Sequence, residues 1–337
     1  MAKFFLKSKI NSLLKNTGRP PIVEIDFLGT GGAFNSLEKN SSAIIKTAGA
    51  TILIDCGSTV YSELRAKKLV QKIDCVFITH CHEDHLGSLS TLVYHRFLVL
   101  NQVTKIECVP SLKPKIETYL KKICGNSKDS FVINSNDGIL YSDLNMIVHK
   151  IETTGYHFKD IISAGFVFNF QKNGENLFLI YSGDVNAPIT DIIKETNESL
   201  YQSLLKASEN VFIFHESTAR DYPPHYPHCE YKKLEKVAET FPNIYTYHHS
   251  RKESEDMQRD VKAARTKLDV IKKKIDLELN KKLSLAKEYE VKEKLRKQAK
   301  RYKEELTEDL GVSSLKTQDL NIIGNQLIIQ EESGLQG

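Results

Sequence analysis

The sequence predicts an α+β fold with a long helical extension, and three observations carry that prediction. Short β-branched and aromatic runs alternate with amphipathic stretches between Val23 and Thr246. One of those runs leads into Thr79-His80-Cys81-His82-Glu83-Asp84-His85-Leu86-Gly87, which packs three histidines and two carboxylates into nine residues. From residue 251 to 310 glycine and proline vanish and 33 of the 60 residues are charged, the composition of a solvated helix.

Length and composition narrow the class of protein. A chain of 337 residues, 40% hydrophobic and 27% charged, is an ordinary soluble protein with one large domain and an appendage, or with two domains. No run of about 18 apolar residues exists, so no transmembrane helix is expected. Six cysteines, at positions 56, 75, 81, 108, 124 and 229, lack the density of a disulfide framework and imply reduced thiols in the cytoplasm. The net charge of +4 is uneven: residues 1–20 hold five basic and no acidic side chains, and residues 251–310 hold 19 basic and 14 acidic, so the remaining body is acidic. That excludes a broad basic nucleic-acid-binding face. The expected division is an N-terminal helix or extension at 1–20, a body at 21–252, a charged helix or coiled coil at 253–310 and a tail at 311–337.

In chain order, Phe5, Leu6, Ile10, Leu13 and Leu14 form a weak amphipathic helix ended by Gly18 and Pro20-Pro21. It packs on the body, or lies on a membrane surface. Strands follow at 23–28, 43–46 and 51–54. Between the first two, Gly29-Thr30-Gly31-Gly32-Ala33-Phe34-Asn35 is a glycine turn whose backbone can approach an anion. No helix follows it, so it is not a dinucleotide fingerprint. A helix is expected at 61–69 and a buried strand at 73–78. His80 and His82, two apart in extended chain, point to one side and can reach one ion, while Asp84 and His85 face a second after the turn. A helix at 86–99 carries His95, which is not a ligand. Further strands are expected at 106–109, 131–133, 146–154, 166–170, 177–181, 211–214 and 243–246, and helices at 112–122, 190–208 and 231–240. Val261, Ala264, Leu268, Ile271, Ile275, Leu279, Leu283 and Ala286 step by three or four along a narrow seam, which predicts a coiled coil or hairpin and a homo-oligomer. Two strand-like runs, 320–323 and 326–330, form a terminal hairpin or pair with a partner.

Residues 79–87 read T-H-x-H-x-D-H-x-G, and here the chain resembles the metallo-β-lactamase superfamily of hydrolases. Later stretches, Tyr181-Ser182-Gly183-Asp184, His215-Glu216-Ser217-Thr218, Pro227-His228-Cys229-Glu230 and Tyr247-His248-His249-Ser250-Arg251, are similar in order to the ribonuclease Z branch. The resemblance implies an αββα sandwich holding two divalent metal ions. His80, His82 and His157 would hold one, Asp84, His85 and His248 the other, and Asp184 would bridge them. His149 competes with His157, and His249 with His248. Zinc suits imidazole and carboxylate donors best, with manganese or iron also compatible. The resemblance further gives Asp55 and His215 supporting places, makes Glu216 and His228 an acid/base pair beside Asp84 at the catalytic centre, and sets Gly31, Gly32, Ser250 and Arg251 along the substrate. The implied activity is hydrolysis of a phosphodiester in RNA or in a small cyclic nucleotide. Two departures stand out. The branch's long glycine- and proline-rich arm is replaced by the six residues 171–176, and Pro227-His228-Cys229-Glu230 stands where G-H-S-T is usual. Alternatives are hydrolysis of a lactone or thioester, and an assembly protein that works through its long helix.

Overall fold

The computed structural model describes residues 23–47, 49–124, 129–136, 138–141, 146–172, 175–218, 227–250 and 326–329, with single helical positions at Lys252, Glu255 and Lys273. The expected helix at 1–20, the run at 320–323, Arg251 and, apart from Glu255 and Lys273, the expected helix at 253–310 lie outside the described residues.

The elements run β1 (Val23–Gly29), β2 (Ser42–Thr47), β3 (Thr51–Ile54), α1 (Val60–Ala66), β4 (Cys75–Phe77), α2 (Glu83–Leu86), α3 (Leu89–Leu98), β5 (Thr104–Glu107), α4 (Lys113–Cys124), β6 (Phe131–Asn134), β7 (Gly138–Tyr141), β8 (Met146–Glu152), β9 (Ala164–Lys172), β10 (Glu175–Tyr181), α5 (Ile189–Thr196), α6 (Glu198–Lys206), β11 (Val211–Glu216), α7 (Tyr231–Thr240), β12 (Asn243–Tyr247) and β13 (Gln326–Ile329). They build a seven-stranded sheet in the order β13-β1-β2-β3-β4-β5-β6 and a six-stranded sheet in the order β12-β11-β10-β9-β8-β7.

Strand periodicity sorts side chains into two cores. On β10, Leu179 and Tyr181 face the first sheet, while Phe178 and Ile180 face α5 and α6; on β11, Phe212 and Phe214 face inward and Val211 and Ile213 face the helices. Such strands, buried on both faces, read as continuous apolar runs. The inter-sheet core is aromatic: Phe27 meets Phe214 at 5.4 Å and Phe77 meets Phe166 at 5.0 Å between ring centroids.

Four expectations need correction. The helix expected at 86–99 is broken into α2 and α3 at Gly87-Ser88, where the Ser88 hydroxyl bonds the Gly57 carbonyl instead. The helix expected at 190–208 divides at Asn197, whose side chain caps α6 by accepting from Leu200 N at 3.0 Å. Strand β7 has no counterpart among the expected strands. The tail run 326–329 pairs antiparallel with β1 and so edges the first sheet.

Strands β3, β4 and β5 run parallel, as do β10, β11 and β12. The carboxyl ends of β3, β4, β10, β11 and β12 deliver Asp55, His80, Asp184, Glu216 and His248 to a common rim, the usual place for a site on parallel strands. Backbone bonds from Ala164 N to Thr79 O (2.9 Å) and from His248 N to Thr30 O (2.7 Å) tie the two sheets together there.

Candidate metal centre

Two donor clusters meet at this rim. In the first, His80 Nε2 lies 3.0 Å from His82 Nδ1, which lies 3.2 Å from His157 Nε2. The Nδ1–H of His157 is committed to the Pro227 carbonyl (3.0 Å), and that of His80 to Thr79 Oγ1 (3.1 Å). Their Nε2 atoms therefore aim lone pairs at His82 Nδ1. Nitrogen ligands about 2.0–2.1 Å from a tetrahedral zinc lie about 3.3 Å apart, so these separations suit a cation between them.

In the second cluster, His248 Nε2 lies 3.1 Å from Asp84 Oδ2 and 3.3 Å from His85 Nε2. Asp184 sits between the clusters: its Oδ2 is 3.9 Å from His80 Nε2 and 3.4 Å from His248 Nε2, and its Oδ1 is 3.5 Å from His85 Nε2. Oδ1 is buried and makes no hydrogen bond. A buried carboxylate oxygen without a partner, flanked by inward-facing imidazoles, is the donor arrangement that two divalent cations would satisfy.

The electrostatics agree with that reading. Burial and the neighbouring His85 charge push His80 well below its ordinary pKa, and burial lowers His82 and His157 as well, which favours the neutral, metal-binding form. Burial alone would lower His85, yet Asp184, Asp84 and Asp55 outweigh it and raise its pKa, so a cation at this cluster would take the place of the Nε2 proton. Burial likewise opposes ionisation of Asp84 and Asp184, but the surrounding histidines win and keep both carboxylates ionised.

Supporting contacts fix each ring. Fully buried Asp55 accepts from His85 Nδ1 (2.8 Å), Thr79 N (2.8 Å) and Thr79 Oγ1 (2.8 Å), so a single carboxylate orients His85 directly and His80 through Thr79. Thr79 is a supporting residue whose role the sequence reading missed, although it opens the histidine motif. Gly183, at φ +64°, lets Asp184 turn in; a Cβ there would stand 2.4 Å from the Ala164 carbonyl. Asp55 and His248 also take positive φ, 58° and 67°.

Beside the clusters, His228 Nδ1 donates to Glu216 Oε2 at 3.1 Å, and Glu216 Oε1 accepts from Val185 N (3.1 Å) and Cys229 N (2.9 Å). Burial would lower the His228 pKa, but Glu216 and Asp184 push it up to about 9. Its ring lies 5.5 Å from that of His157 and 5.1 Å from that of His248.

The structure separates the competing histidines. His149 sits in mid-strand on β8 opposite Val167 and joins neither cluster, whereas His157 does. His249 turns its Nε2 toward Thr246 Oγ1 (3.4 Å), leaving His248 facing the acids. His95 bonds the Tyr61 hydroxyl at 2.8 Å, away from the clusters. His215, which the resemblance gives a supporting place, bonds the backbone and not a member of either cluster. It is fully buried, accepts from Ile189 N at 3.0 Å, and so fastens the start of α5 to β11. The glycine turn also differs from expectation: Gly31 N bonds the Lys39 carbonyl and Gly32 N the His249 carbonyl, so neither amide faces an anion. Gly32 instead makes room for a ring, since its Cβ would stand 3.2 Å from His248 Cε1. Ser250 follows at the half-buried rim.

Known proteins resemble this chain at several levels. The anti-Pycsar protein Apyc1 of Paenibacillus sp. is 36% identical over 117 residues, 34% of this chain and 47% of the relative. Ribonuclease Z of Clostridioides difficile is 28% identical over 45% of this chain and 51% of its own length, and that of Oceanobacillus iheyensis is 27% identical over 72% and 94%. The chain thus spans about half the length of the first curated relatives it matches. Among solved structures, the short form of human tRNase Z superposes with a TM-score of 0.53 at 20% identity, covering 68% of this chain and 93% of the other, which shows the fold. Bacillus subtilis YhfI, a metallo-β-lactamase fold protein, gives 0.51 at 16% over 69% and 87%. The profile described as Anti-Pycsar protein Apyc1 matches residues 23–273, most of the chain, and the chain belongs to that family, within the ribonuclease Z-like branch of the metallo-β-lactamase fold.

Proposed function

We propose that the protein is a dinuclear metal-dependent phosphodiesterase whose substrate is a small cyclic nucleotide. The observation that carries this reading is the pair of donor clusters sharing Asp184, with the Glu216–His228 pair alongside. His80, His82 and His157 would hold one cation, and Asp84, His85 and His248 the other. When bound, two such cations, zinc by donor type, acidify water and neutralise charge building at phosphorus. Glu216 orients His228 and keeps its proton in place, and His228 would give that proton to the departing ester oxygen as the phosphorus–oxygen bond breaks.

The compact substrate is favoured over tRNA by the β9–β10 connection. Lys172 pairs with Glu175, so only two residues separate the strands where ribonuclease Z-like enzymes carry an arm. The acidic body offers no broad RNA surface, and the family's description as anti-Pycsar proteins goes with the cyclic nucleotide. Assays of the metal-loaded protein on 3′,5′-cyclic nucleotides and on precursor tRNA test this directly. Cyclic nucleotide opening that Asp184→Ala abolishes is the expected result; cleavage of precursor tRNA alone would overturn the substrate, and full activity of Asp184→Ala would overturn the site.

A further inference from the structure

Phe158 is the exposed aromatic residue that touches the donor clusters. It is 50% exposed, and its ring meets His157 at 4.8 Å and 66° and His82 at 5.8 Å and 71°. Among the described residues, the other large exposed apolar side chains, including Phe34 at 98% and Leu98 at 68%, have no ring contact with a candidate ligand. The segment that carries Phe158 is held in place. Tyr156 N bonds the Thr153 carbonyl, His157 Nδ1 is tied to the Pro227 carbonyl, and Ile161 N bonds the Phe158 carbonyl at 3.0 Å. The backbone that carries the phenyl ring is therefore anchored beside His82 and His157, with half of the side chain left to solvent.

A ring that served only to shield the imidazoles would be covered by its neighbours. Half an aromatic side chain left open beside a charged, buried centre is suited to a flat partner whose polar end reaches the centre. A nucleotide has that shape: its phosphate is drawn to the cations, and its base has a π face of any sequence. We propose that Phe158 is a specificity-determining residue on which the substrate's base stacks. This rests on the phosphodiesterase reading above and adds the group that separates a nucleotide from other phosphodiesters. Stacking needs no hydrogen-bond code, so the site would accept several bases and discriminate against substrates without one.

The test compares two substrates on the metal-loaded enzyme, a 3′,5′-cyclic nucleotide and the base-free 3′,5′-cyclic phosphate of 1-deoxyribose. Phe158→Ala should lower kcat/KM on the nucleotide by about tenfold, chiefly through KM, which is about 1.4 kcal/mol and within the range of a base on an aromatic ring. On the base-free ester the change should stay under about twofold, with metal content and melting temperature held. Phe158→Trp should restore the nucleotide rate. Equal losses on both substrates, or no loss on either, would overturn the stacking role while leaving the phosphodiesterase reading standing. A wild-type enzyme that opens neither ester overturns both.

Discussion

Asp55 Oδ2 and His85 Nδ1 meet at 2.8 Å, with neither side chain reaching solvent. That bond sets which nitrogen of His85 faces Asp84 and Asp184, and through Thr79 the same carboxylate steadies His80. Asp55→Ala should therefore weaken metal binding by about 10- to 100-fold. Competition against a calibrated chelator measures it, and unaltered affinity would reduce Asp55 to a structural residue.

Glu216→Gln keeps an oxygen for the Val185 and Cys229 amides but replaces the charge that holds the His228 proton. We expect two metal equivalents per chain to be retained and kcat to fall by about 10²-fold, the lower end of what positioned acid catalysis supplies. Loss of metal together with rate would instead make Glu216 part of the metal scaffold.

At Gly32 an added methyl would crowd His248 Cε1. Gly32→Ala should displace the ring by a few tenths of an ångström and lower the affinity of the Asp84–His85–His248 cluster, while the His80–His82–His157 cluster keeps its ion. Stepwise metal titration followed by calorimetry resolves the two sites; a uniform loss at both would refute the assignment of His248 to one of them.

His215 is buried as the neutral base, with burial lowering its pKa to about 4 against 6.5 for the free side chain. Between those values the unfolded chain takes up a proton that the folded chain refuses. Stability therefore falls as pH drops from about 6.5 to about 4, by about 3 kcal/mol from this group. Urea unfolding at pH 7 and pH 4.5 should show a shallower decline for His215→Gln than for the wild type; parallel declines would show that His215 does not resist protonation.

Much of the centre was legible because the information is local. His80, His82, Asp84 and His85 lie within six residues after a β-branched run, and the turn into α2 is enough to aim them at two clusters. The continuous apolar runs of β10 and β11 likewise announced strands, though not which alternate residue faced which core. What the sequence could not carry was long-range. His157 and His149 look alike until β8 and β9 pair and set His149 opposite Val167. The amides of Gly31 and Gly32 looked available because their partners, Lys39 and His249, are set by folding. His215 owes its role to Ile189, 26 residues away, across the β11–α5 junction. The break at Asn197 had a local sign, an asparagine followed by Glu198-Ser199, that a single long helix pattern obscured.

Asp55 and His248, on opposite sheets, both occupy the left-handed backbone region that side chains other than glycine disfavour by about 1–2 kcal/mol. Both bends serve the same cluster, one by steadying His85 and the other by presenting a ring to it. The protein thus carries a conformational debt at two corners, and binding of a cation is the event that would redeem it. Replacing His248 with glycine would relax one corner but leave the buried Asp84 and Asp184 without the imidazole that faces them, so the bend is kept because the ring it presents is worth more than the strain it costs.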